Sequence, residues 1–357
     1  MISWPKGRYL TGALLAALAA TAGCDGVAVT GGGQSLLDGI VNGNLNENVS
    51  QEPDPIELEV IATNTGEATG IALRPADGAL FLVNAEGLFG PIEPGNDVSA
   101  MEPIGATNLA DADLFDIETD SLVLAISNSG EFWIGSRCCV TLAVVGPEGG
   151  GAEPFTGLLE GVDASNIKPE TMVIVPEGFE GPQMRPGNLL VGQETSFSRL
   201  TAIGVEGDLS VVNVDNPAII ADPEEGLNRE AHHLTFSPSG VLYGASGSAL
   251  VSEQAVQTID EQGDPAGVPG TEALSTESLV ALADGDLIVR GIYDPEGEER
   301  LEGILIWSAT DEEVLPGLEL PAAETSADDE MILAPDGETI YLALPNRSEV
   351  VRVIYNR

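Results

Sequence analysis

The chain has 357 residues, of which 58 are acidic and 13 basic, for a formal charge of -45 at pH 7. That balance excludes nucleic acid as a partner, because displacing phosphate counterions takes a basic stripe, and it suits a saline setting in which short screening lengths relieve self-repulsion. Hydrophobic residues make up 43% of the chain and the mean hydropathy is +0.11, which excludes a disordered polyelectrolyte.

In chain order, Lys6 and Arg8 come first and an apolar run from Tyr9 to Ala20 follows. This is the layout of a secretory signal, and it is shorter than the roughly 20 residues of a spanning helix. The segment closes with Thr21-Ala22-Gly23-Cys24. These residues resemble the bacterial lipobox, although Thr21 stands where leucine is usual. The resemblance implies a lipoprotein signal peptide over residues 1–23. It also implies acylation of Cys24, palmitate included, and an exported body at the cell envelope, on the periplasmic or cell-surface side of a bacterial membrane. Stable anchoring takes more than one acyl chain. Residues 24–55 are rich in Gly, Asn, Ser and Gln and end Pro53-Asp54-Pro55, which reads as a flexible tether.

From Ile56 onward, short runs of Val, Ile and Leu alternate with Gly, Pro, Asp and Asn clusters, the pattern of an all-β domain over residues 56–357. One phrase recurs: an apolar strand, a turn with glycine, a second apolar strand. Its clearest copies are Ile71 to Val83 around Pro75-Ala76-Asp77-Gly78, Leu234 to Tyr243 around Pro238-Ser239-Gly240, and Met331 to Leu342 around Pro335-Asp336-Gly337. Weaker copies centre on Asn128, Pro176 and Ala283. The copies recur about every 50 residues, close to the period of a four-stranded propeller blade. Six copies predict a six-bladed β-propeller, with seven blades as the alternative. The last copy has room for three strands, so Ile56 to Ala62 is expected to complete it beside Val350 to Tyr355, closing the ring and leaving no free edge.

The Pro-Asp-Gly and Pro-Ser-Gly turns between apolar strands resemble bacterial NHL-repeat, gluconolactonase-like and surface-layer propellers. The resemblance implies a propeller body. In the gluconolactonase-like families it also implies acidic residues near the axis that bind a divalent metal. Six to eight residues upstream of the turns lie Glu67 and Thr69, Asp120, Glu170, Glu230 and His232, Glu277, and Asp329. If these converge they form an acidic ring of the kind that Ca²⁺, with its 6–8 oxygen ligands, requires. Glu230-Ala231-His232-His233 holds both histidines of the chain. Neighbours on a strand point to opposite faces, and parity with Glu230 selects His232 as the candidate general base or metal ligand. Cys138 and Cys139 are adjacent. They read either as two thiols on opposite faces of a strand or as a vicinal disulfide, which closes only as a strained ring.

No GxSxG, HExxH or phosphate-loop motif is present. The leading expectation is a tethered, monomeric propeller that binds a small-molecule ligand or a partner protein without catalysis. Its contacts would come from the loops at residues 177–187 and 222–229. Second is a metal-dependent hydrolase or lactonase using Glu170, His232, Glu277 and Asp329. Third is a quinoprotein-type dehydrogenase, since the paired cysteines resemble a feature of some propeller dehydrogenases.

Overall fold

The computed structural model describes residues 55–92, 101, 103–106, 122–137, 141–151, 153–154, 158–159, 162–163, 169–179, 181, 184–193, 199–203, 209–212, 233–245, 255–261, 265–297, 299–321, 326 and 329–356. The signal, Cys24, the tether up to Asp54, Asp120, Cys138, Cys139, Glu230, His232 and the loop at 222–229 lie outside the described residues. The described part is an all-β propeller, and one 3-10 turn, Pro345–Arg347, is its only helical element.

The strands follow the repeats. β1 (Ile56–Thr63) comes first, then β2 (Ala68–Leu73), β3 (Leu80–Asn84), β4 (Leu88–Ile92) and β5 (Gly105–Ala106). The second copy supplies β6 (Leu122–Ile126), β7 (Phe132–Ser136) and β8 (Thr141–Val145), with short β9 (Gly150–Gly151) and β10 (Glu153–Pro154) after it. A two-stranded ladder of β11 (Leu158–Leu159) and β12 (Val162–Asp163) leads to β13 (Pro169–Ile174), β14 (Leu189–Gln193), β15 (Arg199–Ile203) and β16 (Leu209–Val212). Next come β17 (His233–Phe236), β18 (Leu242–Ala245), β19 (Val256–Ile259) and β20 (Pro265–Gly267), followed by β21 (Leu274–Ala281), β22 (Leu287–Tyr293), β23 (Leu301–Ser308) and β24 (Glu313–Glu319). The chain ends with β25 (Glu330–Leu333), β26 (Ile340–Leu344) and β27 (Glu349–Tyr355).

The repeats predict six sheets of one kind, and here the structure corrects them. Five sheets are four-stranded, and the sheet that starts with β2 departs from the pattern: its order is β2-β3-β4-β5-β9, and β9 joins in parallel. The cause is a short β5 held in a tight place. A Cβ on Gly105 would sit 2.4 Å from the Phe89 ring and 2.5 Å from the Gly150 carbonyl, so only glycine lets the two backbones meet there.

β1 pairs with β27 from Ile56 opposite Tyr355 to Thr63 opposite Glu349, with one register shift between Val60 and Ala62. The two segments named from the sequence are therefore partners.

The turns show why the copies look alike. Asp336 accepts the Glu338 and Thr339 amides on one oxygen and the Thr339 hydroxyl on the other, and these bonds hold its carboxyl below the usual range. Gly337 at φ 75° supplies the left-handed step that reverses the chain. Ser127-Asn128-Ser129-Gly130 does the same with hydroxyls. Ser127 Oγ takes the Glu131 amide (3.0 Å) and meets Ser129 Oγ (2.8 Å), as Ser237 does with Val241 and Ser239.

Runs such as Leu122-Val123-Leu124-Ala125-Ile126 are buried throughout, because each sheet is covered on both faces. Each of six hydrophobic clusters among the described residues is shared by two sheets. One joins the β2 and β6 sheets (Phe81, Phe89, Leu124, Phe132), and one joins the β21 and β25 sheets (Ile288, Ile306, Leu342, Val351). A third joins the β25 sheet to the β2 sheet through Ile61, Leu82, Ala343 and Val350. The innermost strands lie side by side in the order β2, β6, β13, β17, β21, β25, and β25 also lies beside β2.

Candidate functional site

Of the acidic residues singled out in the sequence, Glu170 and Glu277 lie on the inner strands β13 and β21. Thr69, Glu170 and Glu277 occupy equivalent places. Each is the residue at which the inner strand slips register against its partner, between Ala68 and Gly70, Pro169 and Thr171, and Thr276 and Ser278. Such a bulge re-aims its side chain and breaks simple two-residue parity. Thr69 turns its hydroxyl to the Leu122 amide of the next inner strand (2.9 Å). Glu170 is buried, and its carbonyl accepts from Arg137 Nε (3.1 Å). Glu67 is exposed at φ 56° in the loop before β2, where its carbonyl accepts the Ala85 amide.

Glu277 and Asp329 do come together, around an arginine. Arg290 on β22 is 1% exposed. Its Nη2 lies 3.1 Å from Glu277 and its Nε 2.9 Å from Asp329, which is fully buried at the head of β25. Nη1 also donates to the Gly291 and Gly303 carbonyls (3.3 Å each). One guanidinium, with five fixed donors, thus joins carboxylates of two adjacent sheets. That donor set does not fit a metal ion, because the guanidinium already bonded to one oxygen of each carboxylate would repel a second cation beside it. Among the described residues no group of three or more His, Cys, Asp or Glu side chains stands close enough to hold one. Sequence reasoning passed over Arg290. Its one signal was a charge in the apolar run Leu287-Ile288-Val289-Arg290-Gly291-Ile292 of a chain with few bases.

One residue further along, the side chains cross to the next inner strand. Thr171 Oγ1 accepts the Leu234 amide (3.3 Å), Ser278 Oγ the Met331 amide (2.7 Å) and Glu330 Oε2 the Ile71 amide (3.2 Å). His233 occupies the matching place on β17 and is hydrogen-bonded to the Leu279 backbone of β21. Burial, reinforced by the nearby Arg137 charge, pushes its pKa down to about 3. It is a neutral residue of the seam between two sheets. Its neighbour His232, the candidate base, is outside the described residues.

At the opposite, turn end of the inner strands lies a cavity of about 810 Å³. Phe179, Phe236, Ile259 and Leu333 form its apolar walls together with Pro176, Pro238 and Pro335. Phe179 and Phe236 meet edge to face, with ring centroids 5.2 Å apart. Val241, one of two large hydrophobic side chains exposed among the described residues, also lines it. The exposed carboxylates Glu177, Asp260 and Glu261 belong to its lining, and no described Lys, Arg or His does. Pro176 to Phe179 begin the 177–187 loop that the sequence marked as a contact surface. A smaller cavity of about 230 Å³ runs along the inner strands past Ile71, Leu124, Met172, Leu234 and Met331.

No family model and no curated protein matches the chain. Solved structures do. A gluconolactonase from Xanthomonas campestris is 10% identical with a TM-score of 0.51, over 84% of this chain and 90% of that one. A second structure, described as a candidate gluconolactonase, is 16% identical with a TM-score of 0.51, over 85% and 93%. A virginiamycin B lyase from Staphylococcus aureus is 13% identical with a TM-score of 0.49, over 84% and 98%. The likeness to the two gluconolactonase structures is one of fold, the β-propeller.

Proposed function

We propose that this protein is exported, is anchored to a bacterial membrane by acyl chains on Cys24, and binds a small organic ligand at the turn end of a six-bladed ring. The anchor rests on the lipobox-like Thr21-Ala22-Gly23-Cys24. The count of six takes the β2 sheet as a blade despite its added strand. It is supported by the six shared clusters and by the contact of β25 with β2, and the β1–β27 ladder supports closure within the last blade.

The observation that carries the ligand reading is the cavity. Its volume of about 810 Å³ falls within the range of sites for organic molecules, and its walls are ready-made aromatic and proline surfaces. The test is binding of a fragment set to the full chain held in nanodiscs of zwitterionic lipid. Hits are expected to be lost in Val241→Trp, which fills the cavity from an exposed position. A fragment set that binds nowhere, or binds alike in that variant, rejects the reading. For the anchor, mass spectrometry of the mature N-terminal peptide is expected to find acylated Cys24, and a free thiol there rejects it.

A second reading, hydrolysis of the gluconolactonase type at the upstream end, is favoured by the register shifts at Thr69, Glu170 and Glu277, since bulges recur beside active sites. It draws on the propeller likeness and would place Glu170 and His232 as the acid and base. The described carboxylates do not fit a metal, so no step is assigned to one. Sugar lactones incubated with the full chain are expected to open faster than background, and more slowly with Glu170→Gln or His232→Ala. Background rates throughout remove this reading and leave the first untouched.

A further inference from the structure

We infer that the molecule taken up by the turn-end cavity is an organic cation bearing a flat ring; this rests on the reading of that cavity as the binding site. The polar chemistry of the lining narrows the choice. Its hydroxyls are engaged inside the protein. Ser237 Oγ holds the Val241 amide (3.0 Å) and Ser239 Oγ (2.9 Å), and Thr258 donates to the Ala266 carbonyl (3.3 Å). Among the lining side chains, a polyol would meet only the carboxylates at the mouth and no partner along the apolar walls.

What remains is apolar wall and negative charge. Phe236, partly exposed beside the buried Phe179, offers ring surface to a flat apolar body, and aromatic faces also attract a cation. Glu177 and Glu261 are exposed, so the charge of the ligand stays at the wet mouth while its ring goes inside. A quaternary or guanidinium-like head, weakly hydrated, loses little on reaching such a mouth. An anion meets Glu177 and Glu261 locally and the field of a chain of net charge -45 beyond them.

The test compares two probes with one ring and opposite charges, naphthylmethyl-trimethylammonium and naphthylmethane-sulfonate. Both are titrated calorimetrically into the full chain in zwitterionic nanodiscs, with empty discs subtracted. The ammonium probe is expected to bind about tenfold or more tightly than the sulfonate at low salt, with the gap narrowing as salt rises. The double variant Glu177→Gln, Glu261→Gln is expected to weaken the ammonium about fivefold and not the sulfonate. Val241→Trp is expected to abolish ammonium binding; Ser239→Trp, at another exposed wall position, serves where the first variant fails to fold. Equal or tighter sulfonate binding that the tryptophan variants still block overturns the cation and leaves the ligand reading standing. No binding of either probe, or binding that the tryptophans do not touch, overturns both.

Discussion

The two ends of the inner strands solve the problem of excess acid in opposite ways. At the upstream end, buried Asp329 is paired with buried Arg290, which also reaches the partly exposed Glu277, while His233 sits uncharged in a neighbouring seam. At the turn end, Glu177, Asp260 and Glu261 stay in solvent around a cavity whose hydroxyls are already engaged. A charge held inside must be matched, so its loss is felt by the whole fold. A charge left in solvent contributes little to the fold, and its loss is felt chiefly in binding.

The sharpest way to break this contrast is Arg290→Met. It strips the guanidinium from a fully buried Asp329, and a loss of about 3–5 kcal/mol is expected in guanidinium-chloride unfolding. Adding Asp329→Asn should recover part of that loss. If Arg290→Met is as stable as the parent, the upstream end is no more constrained than the turn end.

His233 gives the next largest effect, and it depends on pH. Its folded pKa of about 3 lies below the unfolded value of about 6.5. As pH falls from 6.5 toward 3, only the unfolded chain takes up this proton, so the contribution of the neutral imidazole is present above pH 6.5 and fades below it, by about 1.4 kcal/mol per pH unit. At pH 5 the parent should have lost about 2 kcal/mol through this residue. His233→Gln should show a flatter profile, and parallel stability curves for the two chains would contradict the assignment.

Ser278→Ala removes the acceptor of the buried Met331 amide and is expected to cost about 1.5 kcal/mol in the same unfolding measurement. Asp336→Ala, in an exposed turn, should cost less than about 1 kcal/mol. An Asp336 effect larger than that of Ser278 would mean that turns, rather than inter-sheet bonds, dominate the stability.

Much of the fold was legible because it repeats. The Pro75, Pro238 and Pro335 turns announce hairpins locally, and runs such as Leu122 to Ile126 announce sheets covered on both faces. Ile56 and Tyr355 could be matched across the chain because the last copy was visibly short of a strand. The site was less legible for a definite reason. The position chosen for axial ligands is where β2, β13 and β21 shift register, and a shift reverses every expectation based on alternation. The Arg290–Asp329 pair joins residues 39 apart in different sheets, a distance at which composition and spacing carry no information. The parallel β9 depends on Gly105 and Gly149, where a Cβ would meet the Phe89 ring and the Ile104 carbonyl.

Ile56 faces Tyr355 across the β1–β27 ladder, and the Asn356 amide bonds to the Pro55 carbonyl at 2.9 Å. The start and finish of the described propeller are thus neighbours in one sheet, so the chain could begin at another turn without losing that pairing. A circularly permuted gene that links residue 356 to residue 55 and opens the exposed Pro75–Gly78 turn would preserve every ladder and relocate the seam to the β2 sheet.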